Sequence, residues 1–200
     1  LPRGTSLTSA GVTIAGQTPQ PYDAQRISFN TWVRAGCPVD SSGVADITGN
    51  PSPLIHSFVE LAATVEVNAS NVLTLNGGYW LVPSAPIASG IVLTGTPTAT
   101  SLPTGTTLVT NENIGRAIKI TSGARSGQYA VVKSNNTSTY TLFTTGDSTL
   151  GVTALTGAPS AGDTFEIYET NAADSVHPSR YRHAQLAAVI RTWLLANVLI

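Results

Sequence analysis

Asp174 and His177, three residues apart near the end of the printed sequence, are the side chains best suited to acid–base chemistry. A carboxylate beside an imidazole fixes the tautomer of the ring and stabilises its protonated form. The other ring nitrogen can then take a proton from a nucleophile and later give it to a leaving group. The same spacing also suits a structural role, in which Asp174 accepts a backbone N–H and caps the following helix. Spacing alone leaves both interpretations open.

The residues after His177 predict a helix that would hold this pair in place. Pro178 suits the first turn of a helix, because proline has no N–H to satisfy and its φ is already near the helical value. Apolar residues then recur at helical spacing and form one stripe: Leu186, Ile190, Trp193 and Leu194. We therefore expect the pair to lie in a turn that leads into a terminal helix.

The amino-acid sequence around the pair resembles that of a known family. Asp174-Ser-Val-His177-Pro178-Ser, followed by Arg-Tyr-Arg-His-Ala-Gln-Leu-Ala, is similar to the last block of the SGNH (GDSL-type) hydrolases, which reads Asp-x-x-His-Pro before the terminal helix. In that family the two residues complete a Ser-His-Asp triad. The resemblance implies that His177 is the general base and then acid, and that Asp174 orients it.

A segment near the start of the chain extends the resemblance. Residues 12–21 look like a late strand of an SGNH sheet with its Thr-x-Pro turn, and Asn30 and Trp32 lie where that family has an Asn-x-Trp helix. Apolar spacing predicts the same helix from about residue 22, with Arg26 and Arg34 towards solvent. A strand followed at once by a helix favours a parallel sheet, with the next strand at 44–47. Asp46, at the end of that strand, is interpreted as a turn or cap residue.

The middle of the chain has a different pattern of apolar and turn-forming residues. Apolar residues alternate within short runs at 117–120, 129–132, 140–143 and 164–167, and Gly, Asn and Ser turns separate these runs. This pattern predicts a small antiparallel barrel or sandwich, whose sequence resembles β modules of phage tail proteins. Tyr129 and Tyr140 are open to two interpretations, as core residues or as a carbohydrate-binding platform.

These observations predict an α/β fold, in which part of a flavodoxin-like parallel sheet of SGNH type carries an inserted antiparallel β module. Residues 1–86 and 164–200 are expected to form the C-terminal half of the SGNH-like domain, and residues 87–163 the insertion. The implied function is a serine esterase that removes acyl groups from a carbohydrate, such as an acylated polysaccharide, or from a similar ester. The alternative is a non-catalytic structural or binding protein of a virion or tail.

Residues 1–86 and 164–200, the predicted SGNH-like segments, contain no Gly-Asp-Ser block for the nucleophile of such an esterase. Ser6, in Gly4-Thr-Ser-Leu, lacks the preceding acidic residue of a Gly-Asp-Ser motif, and Ser179 lies on the predicted helix beside His177. The family's oxyanion-donor blocks are also missing. We expect the serine to come from an N-terminal half of the same protein or from another subunit of an oligomer. A degenerate remnant kept for structure is the remaining explanation.

Amino-acid composition and charge limit the possible partners, location and cofactors of the protein. Ten Lys+Arg against eleven Asp+Glu, with a formal net charge of −1, predict neither a nucleic-acid nor a membrane partner. Few charges and abundant Thr, Ser and Gly favour an extracellular or virion-associated protein. The single Cys37 cannot build a metal site alone and is interpreted as a packed small residue, and His56 as a packing histidine. We predict no cofactor and no metal.

Overall fold

The computed structural model describes residues 13–17, 23–47, 58–75, 77, 79–83, 85–144, 154–170 and 180–197. These ranges contain two α-helices, α1 (Asp23–Arg34) and α2 (Arg180–Asn197). They also contain eight strands: β1 (Glu66–Val67), β2 (Tyr79–Trp80), β3 (Ala88–Val92), β4 (Ser101–Pro103), β5 (Ala117–Ile120), β6 (Tyr129–Asn135), β7 (Thr139–Leu142) and β8 (Thr164–Tyr168). In the same ranges, no helix is both long and apolar enough to cross a membrane.

The main sheet is antiparallel, so the predicted flavodoxin-like parallel α/β fold is wrong. Six strands pair in the order β3-β8-β5-β6-β7-β4, and every pairing is antiparallel. Only residues 136–138 join β6 to β7, and a parallel pair needs a crossover of a dozen or more residues. Asn136 closes this turn by accepting the backbone N–H groups of Ser138 and Thr139 at 2.9 and 2.8 Å.

The βα unit predicted near the start of the chain is also absent from the described residues. Ile14–Gly16 form a single 3₁₀ turn where a strand was expected. Val39 and Ala45 make one isolated antiparallel bridge in place of the strand predicted at 44–47. The sequence pattern favoured a strand there because a short apolar run does not by itself show whether its residues pair into a sheet; Val44 and Ile47 are 60% and 53% exposed.

The hydrophobic core of the sheet lies on one face. Phe165 and Ile167 of β8 alternate with partly exposed neighbours and face Ile118 and Ile120 of β5 in register. Tyr140 packs edge-on against Phe165, with ring centroids 5.6 Å apart and planes at 85°. The cluster is completed by further buried residues: Leu93, Leu102, Leu108, Ala130, Val132, Leu142 and Leu155. Tyr140 is therefore a core residue.

Strand β8 is an interior strand of this sheet, next to the edge strand β3. It pairs with β3 on one side and with β5 on the other, although the division predicted from sequence assigns residues 164–200 to the other domain. The division into an SGNH-like domain and an inserted module stays a prediction.

Helix α1 confirms the helix predicted after residue 22. It ends where Gly36 and Cys37 adopt φ values of 90° and 52°, a left-handed turn that glycine tolerates at no steric cost. Their N–H groups bond to the carbonyls of Val33 and Trp32 at 2.9 and 3.0 Å. The Trp32 indole N–H donates to the Pro38 carbonyl at 2.7 Å, which ties the following loop to the helix.

Helix α2 confirms a terminal helix, but its predicted apolar stripe is mostly not buried. Leu186 is buried and packs with Val65 and Leu61. Ile190 and Leu194, farther along the same stripe, are 38% and 39% exposed. Helical periodicity therefore located the helix but did not identify which of its apolar residues are covered in this chain.

The core position of Tyr140 predicts a loss of stability at high pH. Burial raises the pKa of Tyr140 to about 12, from an ordinary value of 10.0 in the unfolded chain. The neutral phenol is favoured in the fold, so its contribution is complete below pH 10 and is lost as the pH rises towards 12. Two pH units correspond to at most about 3 kcal/mol of unfolding free energy.

Urea unfolding below pH ~10 and near pH ~11.5 measures this loss. The Tyr140→Phe variant should lose distinctly less stability over the same interval, because it has no phenol to ionise. Equal losses for the wild type and Tyr140→Phe would contradict the assignment. Tyr168→Phe is a necessary companion, since the pKa of Tyr168 is also raised to about 12.

Candidate functional site

The residues predicted to act as the acid–base pair, Asp174 and His177, lie outside the described residues, as do Ser6, His56 and Ser179. The structure describes helix α2 from Arg180 onwards. His183 is the one histidine in the described ranges, and it is exposed on this helix. The geometry of the predicted pair therefore stays a prediction.

A pocket lined by both charged and apolar side chains lies along one face of α1. Arg26, Asn30 and Arg34 are spaced by four residues, which places them on one side of a helix. They line a pocket of about 220 Å³ whose opposite wall is formed by residues 58–61 and Glu66. The prediction that the two arginines face solvent is wrong, because their side chains are only 14% and 20% exposed.

Two ion pairs close this pocket. Arg26 Nη1 lies 2.7 Å from Glu66 Oε1, and the Glu66 side chain is completely buried. Arg34 Nε donates to Glu60 Oε2 at 2.5 Å. The hydrogen bond to Glu60 raises the pKa of Arg34; burial opposes this, and the charges of Glu60 and Glu66 add to the rise. Two positive and two negative groups therefore balance each other in the pocket.

Backbone pairing holds Glu66 in position. Its strand β1 pairs with β2, where Glu66 lies opposite Trp80. The Leu81 N–H donates to the Val65 carbonyl at 2.8 Å, and the Thr74 N–H donates to the Glu66 carbonyl at 3.1 Å. The buried carboxylate is thus presented to α1 by a short two-stranded ribbon.

Gly77 allows this ribbon to pack closely, and its replacement should be costly. A Cβ atom on Gly77 would overlap the backbone carbonyl of Val67, which cannot rotate away as a side chain would. We expect Gly77→Ala to lower the unfolding free energy by about 1–3 kcal/mol, the usual cost of overpacking. Gly105→Ala is the matched control, since a Cβ there meets only the Thr94 methyl at 3.6 Å. Equal urea midpoints for the two variants would contradict this packing argument.

Size and charge indicate that the α1 pocket is a structural contact. Ligand sites usually enclose about 300–1,000 Å³, whereas this pocket encloses about 220 Å³. Its charged side chains also form ion pairs with one another, Arg26 with Glu66 and Arg34 with Glu60. The pairs join α1 to residues 58–66 over long sequence separations, so no local pattern in the sequence could have predicted them.

A second cavity, of about 550 Å³, lies between α2 and residues 58–60. Its lining is mainly apolar: Phe58, Val59, Ala188, Val189, Trp193 and Ala196. It begins about 12 Å along the axis from the start of α2 at Arg180, at a rise of about 1.5 Å per residue. The described residues thus offer an apolar groove that is distant from the helix start, where the predicted pair would lie.

No arrangement for metal or triad chemistry occurs in the described ranges. They contain no group of three or more His, Cys, Asp or Glu side chains that could hold a metal ion. Cys37, with a free thiol, is partly buried at the end of α1.

Comparisons with known proteins found no relative: no protein family, no curated protein and no solved structure matches the chain.

Proposed function

We propose that this chain supplies the acid–base pair of a serine esterase that removes acyl groups from a carbohydrate or a similar ester. The observation that supports the proposal is the Asp174-x-x-His177-Pro178 block directly before a long helix, since α2 begins at Arg180. A turn that leads into a helix suits an acid–base pair, because the helix fixes one end of the backbone segment that carries both side chains. The proposal does not include a parallel sheet.

In the proposed reaction, His177 takes the proton of a serine hydroxyl as its oxygen bonds to the ester carbonyl carbon. The tetrahedral intermediate then expels the sugar oxygen, which receives that proton from His177 as the acyl C–O bond breaks. Water hydrolyses the resulting acyl-serine, with His177 again acting as base and then acid. Asp174 stabilises the imidazolium that forms in each half of the reaction.

The serine and the oxyanion donors are proposed to belong to an N-terminal part of the same protein or to another subunit of an oligomer. The one Gly-Asp-Ser sequence of the 200 residues, Gly146-Asp147-Ser148, lies in the segment predicted as the inserted β module, and residues 1–86 and 164–200 contain none. Each absent oxyanion donor costs about 10²–10³ in rate. We therefore expect the 200-residue chain alone to be inactive towards esters.

Covalent labelling tests the proposal. The native assembly would be treated with a fluorophosphonate, which reacts with activated serines, and the labelled peptide would be identified by mass spectrometry. A label on a serine outside these 200 residues, together with turnover of p-nitrophenyl acetate, is the expected result. Absence of both label and turnover would refute the esterase, and a label on a serine within these 200 residues, such as Ser148 or Ser179, would refute the proposed origin of the serine.

A second candidate function is a non-catalytic structural or binding role in a virion or phage tail. It is favoured by the six-stranded antiparallel sheet. This sheet has its own hydrophobic core, so it can serve as a structural element without any active site. An assembly that retains this chain but turns over no ester would favour this candidate. Both candidates share a proposed extracellular or virion-associated location and involve neither nucleic acid nor membrane.

A further inference from the structure

A group of long side chains lies on the face of the main sheet opposite its core. Lys119 of β5 is paired in register with Tyr129 of β6 and with Glu166 of β8, so these three form a row across three strands. Tyr168 lies two residues beyond Glu166 and therefore on the same face. We call these four residues the outer platform. At about 4.8 Å between strands, the row spans about 10 Å.

The four side chains are linked by direct contacts. The Tyr168 hydroxyl donates to Glu166 Oε2 at 2.7 Å, and Lys119 Nζ lies 3.9 Å from the same oxygen. Lys119 Nζ also lies 5.9 Å from the centroid of the Tyr129 ring, within the range of a cation–π contact. The contacts hold the side chains in a fixed arrangement, and the single positive and single negative charge cancel.

The outer platform keeps unused hydrogen-bonding groups. Its members are partly exposed, with the Lys119 and Glu166 side chains 33% and 24% accessible. Within the described residues, the Tyr129 hydroxyl, the Lys119 ammonium and Glu166 Oε1 have no hydrogen-bond partner. A ligand would therefore meet two aromatic rings next to both donors and acceptors.

We propose that the outer platform binds a neutral oligosaccharide. A sugar ring presents apolar C–H groups that pack on aromatic faces, and hydroxyls that both donate to a carboxylate and accept from an ammonium. The balanced charge does not favour a phosphate polymer, which requires several unpaired Lys or Arg residues. It likewise does not favour an acidic peptide. This binding site goes beyond the proposed esterase, because it would operate with or without hydrolysis.

A glycan array carrying neutral and anionic oligosaccharides, probed with the 200-residue protein, tests the proposal. We expect signals from neutral glycans. For the strongest of these, calorimetry should show at least about tenfold weaker binding for Tyr129→Ala and for Lys119→Ala, about 1.4 kcal/mol each. Tyr129→Phe keeps the ring and should lose less. Lys133→Ala, an exposed lysine on the same strand β6 as Tyr129, is the matched control and should bind as the wild type does.

Several results would overturn the proposal: no signal, signals from anionic glycans alone, or equal losses for Lys119→Ala and Lys133→Ala. Sedimentation tests whether a second copy of the chain occupies the outer platform instead. If Tyr129→Ala abolishes self-association and not glycan binding, the occupant is a second copy and the glycan proposal is overturned. Failure of the esterase is distinguishable, because His177→Ala should leave glycan binding unchanged. Conversely, Tyr129→Ala should leave turnover of a small soluble ester unchanged in the native assembly.

Discussion

Replacing His177 with alanine in the native assembly is expected to reduce ester turnover by about 10⁴-fold, the upper range for general acid–base catalysis. Without the imidazole, the serine proton has no acceptor during attack and the sugar oxygen has no donor as it leaves. The reduction should appear in kcat with a small ester such as p-nitrophenyl acetate. His183→Ala is the matched control, because His183 lies exposed on α2 and its replacement is expected to leave turnover unchanged.

Replacement of Asp174 separates catalysis from helix capping. Asparagine caps a helix about as well as aspartate does, so Asp174→Asn should leave stability unchanged if the residue acts only as a cap. An orienting carboxylate cannot be replaced in this way, because asparagine neither fixes the required tautomer nor stabilises the imidazolium. We therefore expect Asp174→Asn to lose most of the turnover while its thermal unfolding stays close to that of the wild type. Full turnover in Asp174→Asn, or in His177→Ala, would contradict the proposed pair.

The second large effect is expected at Glu66. Glu66→Gln should lower the unfolding free energy by about 3–5 kcal/mol, because it removes one charge from an ion pair whose carboxylate is completely buried. Glu60→Gln is the matched control: it breaks the Arg34 pair, whose Glu60 side chain is 30% exposed, and should cost about 1 kcal/mol or less. Urea unfolding of the two variants measures the difference.

A double replacement tests the physical reason for this difference. Burying an ion pair costs so much desolvation that an apolar pair of similar volume is often equally stable or more stable. Arg26→Met combined with Glu66→Leu should therefore recover most of the stability that Glu66→Gln loses. Equal, small losses for Glu66→Gln and Glu60→Gln would show that the Arg26–Glu66 contact contributes little in solution.

The α1 pocket and the groove on α2 lead to different expectations for function. In the α1 pocket, the charges are used in joining α1 to residues 58–66, and its variants should change stability rather than turnover. The groove, at about 550 Å³, has the volume of a ligand site, but it lies along the second half of α2. Neither cavity is needed for the acid–base chemistry proposed for Asp174 and His177.

Local sequence patterns determined much of the secondary structure. Both helices and the strands near 117–120, 129–132 and 164–167 were predictable, because a period of 3.6 or 2 residues is set by the backbone itself. The candidate pair Asp174 and His177 also came from sequence alone, through its motif.

The tertiary structure alone decided which predicted strands form, which faces are covered and which long-range ion pairs occur. The flavodoxin-like fold was predicted from short apolar runs near 12–21 and 44–47, and only the structure shows a 3₁₀ turn at Ile14–Gly16 and an isolated bridge at Ala45 in their place. Only register and packing place Tyr140 in the core against Phe165, and Tyr129 beside Lys119 on the other face of the sheet. Glu66 meets Arg26 because β1 pairs with β2, and such contacts depend on chain folding that no local spacing records.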